Sequence, residues 1–257
     1  MGRAWDYEAS RKPRRAQMEY LIILAVGLVA GTLSGIVGFG SSIMLMPVLV
    51  IAFGPLQAVP IMAIAAILAN LSRIIVWWRE VDWRACAAYS ATAVPFAALG
   101  AATLLALPAR IIEAALGVFF IAMIGVRRWM AARDLKLGFA HLAVIGVPVG
   151  YLTGIVVSTG PLTAPIFLAA GLVKGAFLSS EAAASLAVYV AKAVVFRSFG
   201  ALPLEIVAKG LIVGSTLMAG AFIAKRFVLK LEPHSFRLLM DGLMLLSGLT
   251  LLSAAFI

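Results

Sequence analysis

Long apolar runs separated by short polar turns organise this chain. The runs cover residues 20–53, 58–78, 85–106, 110–126, 138–173, 181–199, 205–224 and 235–257. About 20 apolar residues cross the hydrocarbon core of a bilayer as one helix, and six of the eight runs have that length. The first and fifth are too long for a single span and are interrupted by Gly, Ser, Thr and Pro. The pattern predicts an all-α, polytopic membrane protein. A signal-peptide core of about 7–15 residues is much shorter than the opening run, which is expected to stay in the mature protein.

The two long runs open two similar halves. Gly31-Thr-Leu-Ser-Gly35-Ile-Val-Gly38 lies over Gly150-Tyr-Leu-Thr-Gly154-Ile-Val-Val157, with five of eight residues identical. At the same offset Asn70, Arg73 and Trp77 lie over Tyr189, Lys192 and Phe196. One glycine motif can match by chance in an apolar sequence, but two intramembrane cations at one offset point to duplication. The expected units are a basic N-terminal tail (1–19), a first repeat (20–127), a cytoplasmic basic linker (128–137) and a second repeat (138–257). Each repeat holds about four apolar segments, the first long and broken.

Composition agrees with lipid as the solvent. Apolar residues make up 63% and charged residues 12%, against about 45–50% and 25% in soluble domains, and mean hydropathy is +1.08. The net charge of +10 resides in clusters that flank apolar runs, which fits cytoplasmic loops and anionic lipid rather than nucleic acid. The clusters at 127–136 and 225–237 should share the cytoplasmic side, so an even number of crossings must separate them. Three runs lie between, and the parity holds if 138–173 enters and returns on one side. The repeats are then inverted and the C-terminus lies outside, as does the basic N-terminal tail, against the same charge rule.

Two constellations carry candidate chemistry. The first is the pair of broken runs, with Gly35, Gly38, Gly40 and Pro47 in one and Gly154, Gly160, Pro161 and Pro165 in the other as candidate helix breaks. Irregular backbone at membrane depth must line a cavity or be covered by protein, and free N–H groups at a half-helix start suit an anion. Ser41, Ser42, Ser158, Thr159 and Thr163 beside the breaks are candidate ligands. The competing reading of Gly31/Gly35 and Gly150/Gly154 is close helix packing. The second constellation is Arg73 and Lys192. A charge at mid-bilayer costs about 2.5–3.5 kcal/mol and marks a pathway or a partner. Asn70 and Tyr189, three residues before the cations, share their helical faces. Snorkelling is the alternative for Arg73, an internal salt bridge for Lys192, although neither of the two segments offers an acid at matching depth.

Glu113, Glu181 and Asp241 lie within or at the ends of apolar runs, where they are either interfacial or able to relay a proton or neutralise Lys192. His141 and His234 have no ligand-spaced companions, so neither metal nor other cofactor is expected, and no nucleophile–base set points to an enzyme.

The opening Gly31-Thr-Leu-Ser-Gly35-Ile-Val-Gly38-Phe-Gly40 with Pro47, and its echo at Gly150–Pro165, resemble the sulfite exporter TauE/SafE family, also called the toluene-sulfonate uptake permeases, over nearly the whole chain from about residue 20. The resemblance implies a multi-pass protein of the bacterial inner membrane that moves sulfite or organosulfonates such as sulfoacetate. A transporter working by alternating access around a cationic central site is the expected function. An anion channel, or a carrier of another small organic anion, is the alternative. The expected partners are a small anion and membrane lipid. The sequence leaves oligomeric state open.

Overall fold

A backbone surrounded by lipid must satisfy its own polar groups, which leaves helices as the solution for an apolar chain of this kind. The computed structural model describes residues 13–133, 135–156, 159–224, 241–242, 245–246 and 248–253, and holds no strand among them. The helices are α1 (Pro13–Val37), α2 (Ser41–Phe53), α3 (Pro55–Val76), α4 (Trp83–Leu105), α5 (Ala109–Ala131), α6 (Phe139–Ile155), α7 (Gly160–Ala169), α8 (Lys174–Ser198) and α9 (Leu204–Ala224), with a 3-10 turn at Trp78–Glu80. Six of these, α1, α3, α4, α5, α8 and α9, are long and apolar enough to cross a membrane, whereas α2, α6 and α7 are shorter.

Both long runs are broken. The first breaks at Gly38–Gly40, where Gly38 and Gly40 adopt φ of +91° and +112°, a left-handed backbone that glycine enters without a Cβ clash. The second breaks between Ile155 and Gly160. Each run then folds back on itself. Tyr20 near the start of α1 meets Phe53 at the end of α2, ring centroids 5.8 Å apart. The Leu137 N–H just before α6 donates to the Ala169 carbonyl at the end of α7, at 2.9 Å. Both pairs are hairpins whose outer ends adjoin.

Small residues set the packing and fix the helix directions. Along α1, Gly27, Gly31 and Gly35 meet Thr216, Leu217 and Ala221 of α9 in ascending order. Along α6, Gly146, Gly150 and Gly154 meet Tyr89 to Ala101 of α4, again in ascending order. Gly210 and Gly214 of α9 meet Ile61 to Leu68 of α3. Thus α1, α3 and α9 run parallel. The starts of α4 and α8 adjoin, since the Asp82 N–H donates to Ser180 Oγ at 2.8 Å and Cys86 Sγ lies 3.2 Å from the Ser180 carbonyl oxygen, so α4, α6 and α8 share a direction. The end of α3 meets the start of α8, where Trp77 and Glu80 pack on Gly175. Consequently α3 and α8 are antiparallel.

Four residues expected at breaks lie inside helices instead. Gly35 and Gly154 are helical and act in the packing seams, since a Cβ on Gly35 would come within 2.8 Å of Ala221 and one on Gly154 within 2.4 Å of the Ala97 carbonyl oxygen. Pro47 and Pro165 are accommodated within α2 and α7, which neighbouring membrane helices permit. The linker expected from residue 128 begins as helix, because α5 continues to Ala131. The helix expected from residue 181 begins at Lys174. Arg128 donates to Asp241 Oδ2 from two nitrogens, at 2.9 and 2.8 Å. The basic cluster at 225–237 and His234 lie outside the described residues.

Candidate functional site

The hairpin turns expose helix ends inside the bundle, and each exposed carbonyl end meets a cation from a neighbouring helix. Lys192 of α8 is wholly buried, at 0% exposure. Its Nζ donates to the carbonyls of Thr153 and Val156 at 2.6 and 3.0 Å, which are the C-terminal carbonyls of α6. The rings of Tyr189 and Phe196 flank the ammonium at 5.7 and 5.8 Å. In the other hairpin Arg73 of α3 donates from Nη1 to the Gly38 carbonyl, just past the end of α1, and from Nη2 to Asn70 Oδ1. A helix C-terminus carries about half a negative charge, so each cation neutralises the negative end of its break.

The expectation that no acid lies at matching depth is overturned. Glu181, on the same helix as Lys192, is 2% exposed and its Oε2 accepts from Arg73 Nη1 at 2.9 Å. Its Oε1 accepts from Thr163 Oγ1 of α7 and from Ser185 Oγ, both at 2.8 Å. Arg73 is therefore buried and paired rather than snorkelling, and Glu181 is neither interfacial nor the partner of Lys192. Sequence spacing placed Arg73 and Lys192 correctly within their own helices but carried no information on which helices adjoin.

Eleven residues of α8 separate Glu181 from Lys192, a rise of about 16 Å. Glu181, Ser185, Tyr189 and Lys192 fall on one face of α8, so a polar track joins the two cations through the bundle. Between them lies a small cavity lined by Tyr89, Thr153, Thr159, Thr163, Ser185 and Tyr189, among others, with about 10 Å³ of free volume. That is room for about one water molecule. Thr153 and Thr159 hydrogen-bond across the second break. Of the expected ligands, Tyr189, Thr159 and Thr163 line this cavity. Lys192 adjoins it through Thr153, and Arg73 through Glu181. Asn70, whose Nδ2 donates to the Ala66 carbonyl at 2.8 Å, sits beside Arg73. Ser41 and Ser42 open α2 at the first break, Ser42 buried, and Ser158 lies outside the described residues. Gly160 and Pro161 form the first turn of α7. Tyr89 and Ser185 were not anticipated, although Ser185 falls on the helical face that Tyr189 and Lys192 define.

Six apolar helices of membrane-crossing length define a multi-pass membrane protein. The family model of the sulfite exporter TauE/SafE matches residues 23–251. The chain belongs to that family, and membership suggests a membrane transporter of sulfite or related anions. Comparison with curated proteins and with solved structures gives no match.

Proposed function

We propose that this protein carries small sulfur-containing anions, sulfite and organosulfonates such as sulfoacetate, across the bacterial inner membrane by alternating access. The observation that carries the reading is the polar track between the two breaks, with Arg73 at one end and Lys192 at the other, inside a bundle otherwise built for lipid. Each cation quenches the carbonyl end of its break, and the hydroxyls of Thr159 and Thr163, which line the cavity, would exchange their present partners Thr153 and Glu181 for an arriving anion. Such donors can replace the hydration of sulfonate oxygens. We read the family membership and these donors as a transport site rather than an enzyme's active site.

We further propose that the two halves are inverted repeats that rock about this track. In support, α2 and α7 begin at 41 and 160 and α3 and α8 at 55 and 174, each pair 119 residues apart (160 − 41 and 174 − 55). The packing exchanges in the same way, α1 on α9 against α6 on α4, with opposite directions. The cavity admits about one water, which suits a closed stage of alternating access rather than an open channel. The test is uptake of labelled sulfite, sulfoacetate, taurine and sulfate into proteoliposomes. Saturable uptake of a sulfur anion is expected, and equal, unsaturable leakage of all four would refute it.

A further inference from the structure

Glu181 is a buried carboxylate that a simple anion carrier does not need. It sits in the polar track, holds the guanidinium of Arg73 at 2.9 Å and takes hydrogen bonds from Thr163 and Ser185. Two of these partners, Thr163 and Ser185, line the cavity. The carboxylate thus occupies the donors that an arriving anion would use.

Building on the transport reading above, we propose that Glu181 is the protein's internal anion and its proton carrier: a substrate anion displaces it from Arg73, Glu181 takes up one proton, and anion and proton cross together. The argument is charge balance in a low-dielectric site. With Glu181 ionised, the Arg73 end of the track holds one guanidinium against one carboxylate, while the ammonium of Lys192 lies about 16 Å away on the carbonyl end of α6. Adding a substrate anion at the Arg73 end leaves an excess negative charge there, buried among apolar helices, which is strongly unfavourable. Arg73 cannot restore balance, because a guanidinium keeps its proton. The groups that face Glu181 from the surrounding elements narrow the choice further. Arg73 comes from α3, Tyr89 from α4, and Thr163 from α7, with Ser185 and Tyr189 further along α8. Asp82 and Cys86, at the start of α4, contact the neighbouring Ser180, and Glu80 packs on Gly175 a turn and a half before. Lys192 is committed to carbonyls about 16 Å along the helix. Among these groups, Glu181 is the carboxyl that pairs with the cation in the track. Once protonated on Oε2 it needs no cation, and its carbonyl Oε1, with two lone pairs, still accepts from both hydroxyls. The proton comes from water on the side to which the site is open and leaves to water on the other.

The test uses the full-length protein in proteoliposomes carrying an internal pH dye, with whichever of sulfoacetate, taurine, sulfite or sulfate the wild type accumulates. For the wild type, an inward proton movement of about one per anion is expected, and uptake should rise with an imposed pH gradient. Glu181→Gln should lose both proton movement and gradient-driven accumulation, so that any anion exchange it retains is uncoupled from protons. Glu181→Asp, which keeps a carboxyl, should retain both. Anion uptake by the wild type without proton movement would overturn the proposal, as would undiminished gradient-driven uptake by Glu181→Gln. If Glu181→Gln fails to insert, the wild-type proton-to-anion ratio and the Glu181→Asp rescue still decide. No uptake of any of the four compounds by the wild type would instead defeat the transport reading itself.

Discussion

Replacing Lys192 by alanine removes the ammonium that donates to Thr153 and Val156 at 2.6 and 3.0 Å. Two buried carbonyls at the end of α6 lose their partner, each at about 1–3 kcal/mol, and the helix end loses a neutralising charge worth up to about 2 kcal/mol. Stability should fall by several kcal/mol, read as a lower melting temperature in detergent. Anion binding should fall separately. A charged hydrogen bond contributes about 1.5–3 kcal/mol, and every 1.4 kcal/mol is about tenfold in affinity, so the dissociation constant should rise at least tenfold. Lys192→Met retains the apolar stem and isolates the charge. Lys192→Arg should be milder in both respects, since charge survives while the hydrogen-bond fork changes. Adding methylammonium to Lys192→Ala should restore part of the lost stability by refilling the two-carbonyl cradle. Titration calorimetry of the three purified variants, at equal expression, gives the answer. Unchanged anion affinity in both the alanine and the methionine variants would refute the role of Lys192 at the site.

The remaining predictions concern the scaffold and the second cation. Gly150→Ala places a methyl 2.4 Å from the Ala93 carbonyl oxygen and should cost about 1–3 kcal/mol through overpacking, whereas Gly125→Ala, with nothing within 4 Å, should leave the melting temperature in place. Gly38→Ala combines a φ of +91° with Phe177 at 3.0 Å, and should lower both stability and uptake. Reporter fusions should put the loop at 130–136 inside and the end of the chain, after Ile257, outside. A cytoplasmic reporter signal at the C-terminus would overturn that topology. Arg73→Ala should abolish uptake and leave Glu181 as an unpaired buried carboxylate, a loss that Glu181→Gln in the same chain should partly relieve as melting temperature.

Much of this was legible in the sequence because lipid imposes simple rules. The lengths of the apolar runs, their two interruptions and the matched offset of Arg73 and Lys192 are all visible as spacing. The Gly-xxx-Gly rows were also readable, and the packing reading of Gly31/Gly35 and Gly150/Gly154 is the one the helices adopt. Distinguishing them from true breaks was harder, since Gly35 and Gly38 look alike in a string while only Gly38 has a left-handed backbone. Pro47 and Pro165 misled for a related reason, as a membrane helix surrounded by neighbours accommodates proline. What spacing could not supply was pairing between helices. The partnership of Arg73 with Glu181 spans 108 residues, and it exists because the end of α3 lies against the start of α8. The return of α7 beside α6, seen in the backbone bond between Leu137 and Ala169, is likewise invisible to spacing.

The most direct test of a carrier with a cationic track is counterflow. Proteoliposomes preloaded with an unlabelled sulfur anion should draw in the labelled anion faster than empty ones, with saturable dependence on concentration and with loss in Lys192→Ala and Arg73→Ala. Flux that is indifferent to preloading and linear in concentration, or that persists in both variants at equal expression, would contradict it.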